Sequence, residues 1–186
     1  MISKDIYEKY LDDLLAGNRH ACADLVQKYL NEEKPDIKGI YNQLFTASLY
    51  DVGKLWEENK ISVATEHLAT SITESLMTLV YPYLFRTEHI GKKAVISCVA
   101  NEHHQVGGKM VADVFELNGW DGYFLGANTP KSELHKFIDE KKPDALALSL
   151  SIYYNISTLV KILDDLKNIF PGLQTFVGGT SFPLGR

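Results

Sequence analysis

The sequence predicts an α/β protein in two parts, a helical N-terminal half followed by a parallel-sheet half. Three observations carry this. Apolar residues recur at helical spacing through residues 1–90. From Lys92 they gather into short runs rich in β-branched residues. Those runs alternate with further helical stretches and with turns containing Gly, Pro and Asn. The chain has 186 residues, 45% of them hydrophobic and 23% charged, which is enough for one large domain or two small ones with a proper core. A net charge of −5 argues against a general nucleic-acid binder, which would carry a basic face. There is no signal-peptide stretch and no apolar run long enough to cross a bilayer. Cys22 and Cys98 lack zinc-site spacing and read as buried free thiols. A cytoplasmic location is therefore expected.

In the first half, residues 5–16 place Ile6, Tyr10, Leu11, Leu14 and Leu15 on one stripe, and Gly17-Asn18 ends that helix. Residues 19–30 form a second helix, with Cys22, Leu25, Val26, Tyr29 and Leu30 on one side. A polar break at residues 32–36 ends in Pro35-Asp36. The third helix runs over residues 37–56, with Ile37, Tyr41, Leu44, Val52 and Leu55 inward and the small Ser48 on the same face. Ser62 is the N-cap of a fourth helix, which is expected to stop near Val80, before Pro82. Four helices with short connections predict an antiparallel bundle. Tyr7, Tyr10 and Tyr29 sit at helical spacings and read as packing.

The second half begins with a strand at residues 94–100, continuously apolar as in a strand buried on both faces. A helix over residues 107–118 follows, closed by Gly119. Strands at 121–125, 145–151 and 175–177 alternate with helices at about 130–140 and 156–168. That alternation means parallel pairing and a doubly wound sheet. Four strands are legible where such a sheet usually has five. The boundary between the halves falls near residues 85–91, giving domains of 1–88 and 89–186.

The residues most suggestive of chemistry are Glu102-His-His-Gln-Val-Gly107, a loop between the first strand and its helix. Strand, loop and helix in that order offer a ligand at the carboxyl edge of a sheet. Imidazole is the commonest neutral metal ligand, and its second ring nitrogen usually needs an acceptor such as a carboxylate. Glu102, two residues before His104, could supply it. Gly107 would allow a tight turn and close approach of a bulky ligand. The loops after the other strands should gather at the same edge: Gly126-Ala-Asn-Thr-Pro130, Ser149-Leu-Ser151 and Gly178-Gly-Thr180. Tyr153-Tyr154 follows the third strand and reads as packing at that border. His20, His89 and His135 read as surface residues.

Residues 92–182 resemble the cobalamin-binding domain of methionine synthase, corrinoid proteins and mutases. That family's signature is Asp-x-His-x-x-Gly, then a Ser-x-Leu or Ser-x-Thr element, then Gly-Gly. The matching residues are Glu102, His104 and Gly107, then Ser149 with Ser151, then Gly178 and Gly179. The resemblance implies a Rossmann-like, flavodoxin-like sheet domain with His104 as the lower axial cobalt ligand. It also implies that the cofactor's nucleotide tail threads beside Ser149, Ser151 and Gly178. Glu102 stands where the family usually has Asp, so its longer arm either reaches the His104 ring or leaves a weaker bond. His103 is a neighbouring competitor expected to point away.

Residues 49–72 resemble the helical cap that precedes such domains. The spacing Trp56-x9-Glu66-His67 is similar to that of the light-sensing adenosylcobalamin regulators. By that resemblance Trp56, Val63, Glu66 and His67 lie over the upper cofactor face and enclose the adenosyl group, with the cofactor held between bundle and sheet. Helical spacing does put Val63, Glu66 and His67 on one face. In those regulators the residue after the Trp is often a His able to take the upper cobalt position. Here it is Glu57. The expected function is an adenosylcobalamin sensor responding to light through breakage of the Co–C bond. It would act on a protein partner or by self-association, without DNA or membrane binding and without an independent catalytic residue. The alternative is a corrinoid methyl carrier of a methyltransferase system, loaded with methylcobalamin or another corrinoid. A plain interaction module without a cofactor is the third reading.

Overall fold

The computed structural model describes residues 2–180. The chain divides into two compact units between Tyr83 and Leu84.

The first unit is helical. Helix α1 (Lys4–Leu15) and α2 (Arg19–Leu30) meet through Tyr10, Leu14, Cys22 and Val26, all fully buried. Gly17 makes the turn between them in the left-handed region, at φ +74°. The third helix is continuous but not uniform. It starts as α3 (Ile37–Gly39), passes through a π-helical segment (Ile40–Thr46) and continues as α4 (Ala47–Glu57). Asp36 caps it by accepting from Gly39 N–H at 2.8 Å. The π segment is a departure from the expected plain α-helix. Ile37, Tyr41 and Phe45 are buried at intervals of four residues through it, and the wider π turn keeps them on one face. Leu55, expected inward, is only partly buried.

Helix α5 (Val63–Leu84) begins where Ser62 Oγ accepts from Thr65 N–H at 3.1 Å. It does not stop before Pro82, which lies within its last turn. A proline so near the end forfeits one backbone bond and has little helix left to kink. Burial of both Val80 and Leu84 holds that turn in place.

The second unit is a four-stranded, all-parallel sheet of β1 (Lys93–Cys98), β2 (Asp121–Phe124), β3 (Ala145–Ser149) and β4 (Gln174–Gly178), in the order β2-β1-β3-β4. Its helices are α6 (Val106–Leu117), α7 (Lys131–Lys141) and α8 (Ile156–Ile169). On one face Val95, Leu146 and Leu148 pack with Leu134 and Ile138 of α7 and with Leu159, Ile162 and Leu166 of α8. The opposite face uses small residues. Ala94, Ala145 and Ile96 meet Ala112 of α6, and no side chain larger than hydrogen fits at Gly108 or Gly122 without crowding Phe124 or the Ala112 carbonyl. The close approach of α6 brings its N-terminus down onto the end of β1. The strand order reverses direction at β1/β3, the crevice where a doubly wound sheet offers a ligand. Among the described residues no helix is long and apolar enough to cross a membrane.

Candidate functional site

Register brings the anticipated residues of the sheet unit to one row. Cys98 of β1 pairs with Ser149 of β3, and Ser149 pairs with Gly178 of β4. All three strands therefore release their loops at the same edge.

Glu102 is the centre of that edge. It is fully buried, and its carboxylate accepts four hydrogen bonds. Oε1 accepts from the His104 backbone N–H at 3.0 Å and meets His104 Nδ1 at 2.6 Å. Oε2 accepts from Ser151 N–H at 2.8 Å and Ile152 N–H at 2.9 Å. Burial pushes this carboxyl up. The backbone donors of His104 and Ile152, the His104 ring and the Ser151 N–H outweigh burial and hold it at about 2. An ionised carboxylate only accepts, so His104 Nδ1 carries the hydrogen of that bond, the tautomer that leaves Nε2 as the ring's other nitrogen to bind outward. The alternative of a long, weak bond from the longer Glu arm does not hold at 2.6 Å.

The loop is braced further. Glu102 carbonyl accepts from Asn128 N–H at 2.9 Å, and Asn128 Oδ1 accepts from Asn101 N–H at 2.8 Å. Asn155 Nδ2 donates to Asn101 carbonyl at 3.1 Å. The loops after β1, β2 and β3 are thus tied together around Glu102, through its backbone carbonyl as well as its carboxylate. Leu150 N–H to Gly178 carbonyl (2.9 Å) and Thr180 Oγ1 to Ser151 carbonyl (3.3 Å) bring in the loop after β4.

The His104 side chain is 59% exposed even though its partner is buried, and no described residue bonds its Nε2. His103 is also exposed. Gly107 does not make the tight turn expected of it. It lies inside α6 without a left-handed φ, because the helix starts one residue earlier, at Val106. What its missing side chain leaves is open space, since a Cβ there would meet nothing within 4 Å. Gly178 is equally open. Gly179 is the glycine with a backbone reason, at φ +126° and with the Leu150 carbonyl where a Cβ would stand. Sequence reasoning missed Gly108, whose lack of a Cβ seats α6 beside Cys98 and Ser149. It also missed the backbone of Ile152. The reading of Tyr153 and Tyr154 as packing is overturned, because both stand in solvent. His135 is partly buried, not a surface residue, with its ring edge-on to Phe170 at 6.0 Å.

In the helical unit, Trp56 lies in the last turn of α4 and is 47% exposed, and Val63 opens α5 at 51%. Glu66 Oε2 meets His67 Nδ1 at 2.5 Å, and Glu66 Oε1 accepts from Thr70 Oγ1 at 2.9 Å. Glu66 and His67 are held by neighbours on their own helix.

An imidazole steered by an anionic carboxylate, with its other nitrogen open and space beside it, suits a metal that brings its remaining ligands with it. Among the described residues no three His, Cys, Asp or Glu side chains cluster to hold a bare ion. A corrinoid fits this donor set, since the macrocycle supplies the equatorial nitrogens. The comparisons agree. The B12 binding domain family matches residues 92–184, and a second B12 binding domain family matches residues 6–81. The chain belongs to the B12 binding domain family, which indicates a cobalamin or related corrinoid as its cofactor.

Over 180 residues the chain is 26% identical to the HTH-type transcriptional repressor CarH of Myxococcus xanthus, covering 94% of this chain and 58% of the repressor. Over 141 residues it is 24% identical to trimethylamine corrinoid protein 1 of Methanosarcina acetivorans, covering 73% of this chain and 65% of that protein. The chain spans about half the length of the curated repressors it matches. The Methanosarcina barkeri monomethylamine corrinoid protein superposes with a TM-score of 0.85 at 16% identity, over 97% of this chain and 87% of that one, and so shares the fold.

Proposed function

We propose that this protein is an adenosylcobalamin-dependent sensor in which His104 is the lower axial ligand of cobalt. The observation that carries the ligand assignment is the buried Glu102 carboxylate, which directs His104 Nδ1–H inward at 2.6 Å and leaves Nε2 outward. Ser149, Ser151, Gly178 and the open space at Gly107 serve the cofactor's nucleotide side, and Gly179 keeps the loop after β4 in the conformation this needs. When bound, adenosylcobalamin supplies a light-labile Co–C bond. Trp56, Val63, Glu66 and His67 receive the adenosyl group. Exposed apolar side chains beside a carboxylate–imidazole pair suit a nucleoside, with its flat base and sugar hydroxyls. Loss of the adenosyl group would bias the helical unit, and the output passes to a protein partner or to self-association. A cytoplasmic setting belongs to the same reading, supported by the two free, buried cysteines.

A corrinoid methyl carrier is the second reading, favoured by the similarity to trimethylamine corrinoid protein 1. The two separate on the upper ligand. A sensor prefers adenosyl- over methylcobalamin and changes its absorbance and mass on illumination. Equal affinity for both forms would favour the carrier. The ligand assignment is tested by His104→Ala, which should weaken binding roughly hundredfold and remove the spectral mark of histidine coordination. A wild-type spectrum in that variant would show that another group holds the cobalt.

A further inference from the structure

Three large apolar side chains stand in a row in solvent just after β3. Ile152 is partly out, Tyr153 is 73% exposed and Tyr154 is 91% exposed. A contiguous exposed apolar patch is more informative than a single exposed residue, since it usually marks a binding surface. This patch is held firmly. The turn Tyr153–Asn155 is hydrogen-bonded on both flanks, by Ile152 N–H to Glu102 Oε2 at 2.9 Å and by Asn155 Nδ2 to the Asn101 carbonyl at 3.1 Å. The other oxygen of that same carboxylate steers the His104 ring. One buried group therefore sets the position of both the imidazole and the tyrosine turn. The tyrosine turn and the imidazole are thus braced by the same carboxylate, on a support that already has its hydrogen bonds made.

We propose that Tyr153 and Tyr154 contact the corrinoid, packing their rings against the lower face and rim of the macrocycle that His104 ligates. This rests on the cobalamin reading above. A corrin rim carries methyl groups and carboxamide arms. A tyrosine matches both, with an apolar ring and a hydroxyl that donates to or accepts from an amide. Because the turn is already ordered, little further ordering cost falls on binding. The Ser151 and Ile152 amides that hold Glu102 are the same backbone that leads into the tyrosines, so the contact would also fix the ring's tilt about the histidine ligand.

The test uses the full chain and two probes, adenosylcobalamin in the dark and diaquacobinamide, which lacks the nucleotide tail. Each is titrated by absorbance against wild type, Tyr153→Ala/Tyr154→Ala and Tyr153→Phe/Tyr154→Phe. The alanine pair should bind both probes more weakly, by roughly tenfold for each ring removed. Its bound adenosylcobalamin should keep the histidine-coordinated spectrum, and its circular dichroism should match wild type because neither side chain is buried. The phenylalanine pair should recover most of the affinity. Wild-type affinity in the alanine pair overturns this inference alone. A loss confined to adenosylcobalamin moves the contact to the nucleotide tail and overturns the assignment to the ring. A wild-type chain that binds neither probe overturns the cobalamin reading and this inference together.

Discussion

The loop after β1 and the start of α5 both present a carboxylate–histidine pair, and they do so in opposite ways. Glu102 is buried and bonded by three backbone amides and by the His104 ring, which sets that ring's orientation. Glu66 is bonded to His67 and Thr70 on its own helix, and the His67 side chain is 74% exposed. The first pair is part of how the sheet unit folds, whereas the second rides on a helix that would form without it. A group that must hold a metal in one geometry benefits from the first arrangement, because its orientation is set before the ligand arrives. A group that must release its ligand benefits from the second, because nothing in the fold is lost when the ligand leaves.

The contrast is broken most forcefully at Glu102. Replacing it by Ala strands the Ser151 and Ile152 amides and should lower unfolding free energy by about 3 kcal/mol, read by chemical denaturation, while also weakening cobalamin binding. If stability were unchanged, the carboxylate would be an ornament of the loop and not its keystone. Acid gives a matching effect. Because the folded pKa of Glu102 lies at about 2, below its ordinary 4.5, the ionised group stabilises the fold fully above pH 4.5. That contribution, about 3 kcal/mol, is lost as pH falls from 4.5 towards 2. A stability–pH curve of Glu102→Gln should be flatter than wild type across that window.

The helical unit should respond differently. Trp56→Ala should leave thermal stability almost unchanged, since the ring is already half out, yet reduce the preference for adenosyl- over methylcobalamin roughly tenfold. A large fall in melting temperature with no change in selectivity would make Trp56 a packing residue. The smallest effect is expected for His67→Ala. An exposed pair of neighbours contributes less than about 0.5 kcal/mol to folding, so only the adenosyl affinity should move.

The local parts of this fold were legible. Residues 19–30 show a full apolar stripe between a turn and a polar break, and the helix occupies that span. Cys98, Ser149 and Gly178 fall in one row because parallel strands of similar length end together. The π-helical segment was not legible, because apolar residues four apart also share a face of an ordinary α-helix. Continuation of α5 through Pro82 was not legible either, because a propensity rule yields to the burial of Leu84. Of the glycines at the site, position in the chain pointed to Gly107, yet the backbone requirement sits at Gly179 and the close packing at Gly108.

The sequence by itself determined the order of helices and strands, and it placed Glu102 two positions before His104, within reach of its ring. Only the tertiary structure decided which groups hold that glutamate. Ser151 and Ile152 lie 49 and 50 residues away, and they reach it through backbone amides that every residue type possesses. Tertiary structure also turned Tyr153 and Tyr154 outward, since the composition of a ring is the same in the core and in solvent. Side-chain chemistry is written in the order of residues. A hydrogen bond from a distant main chain is set by where the sheet brings its strands to an end.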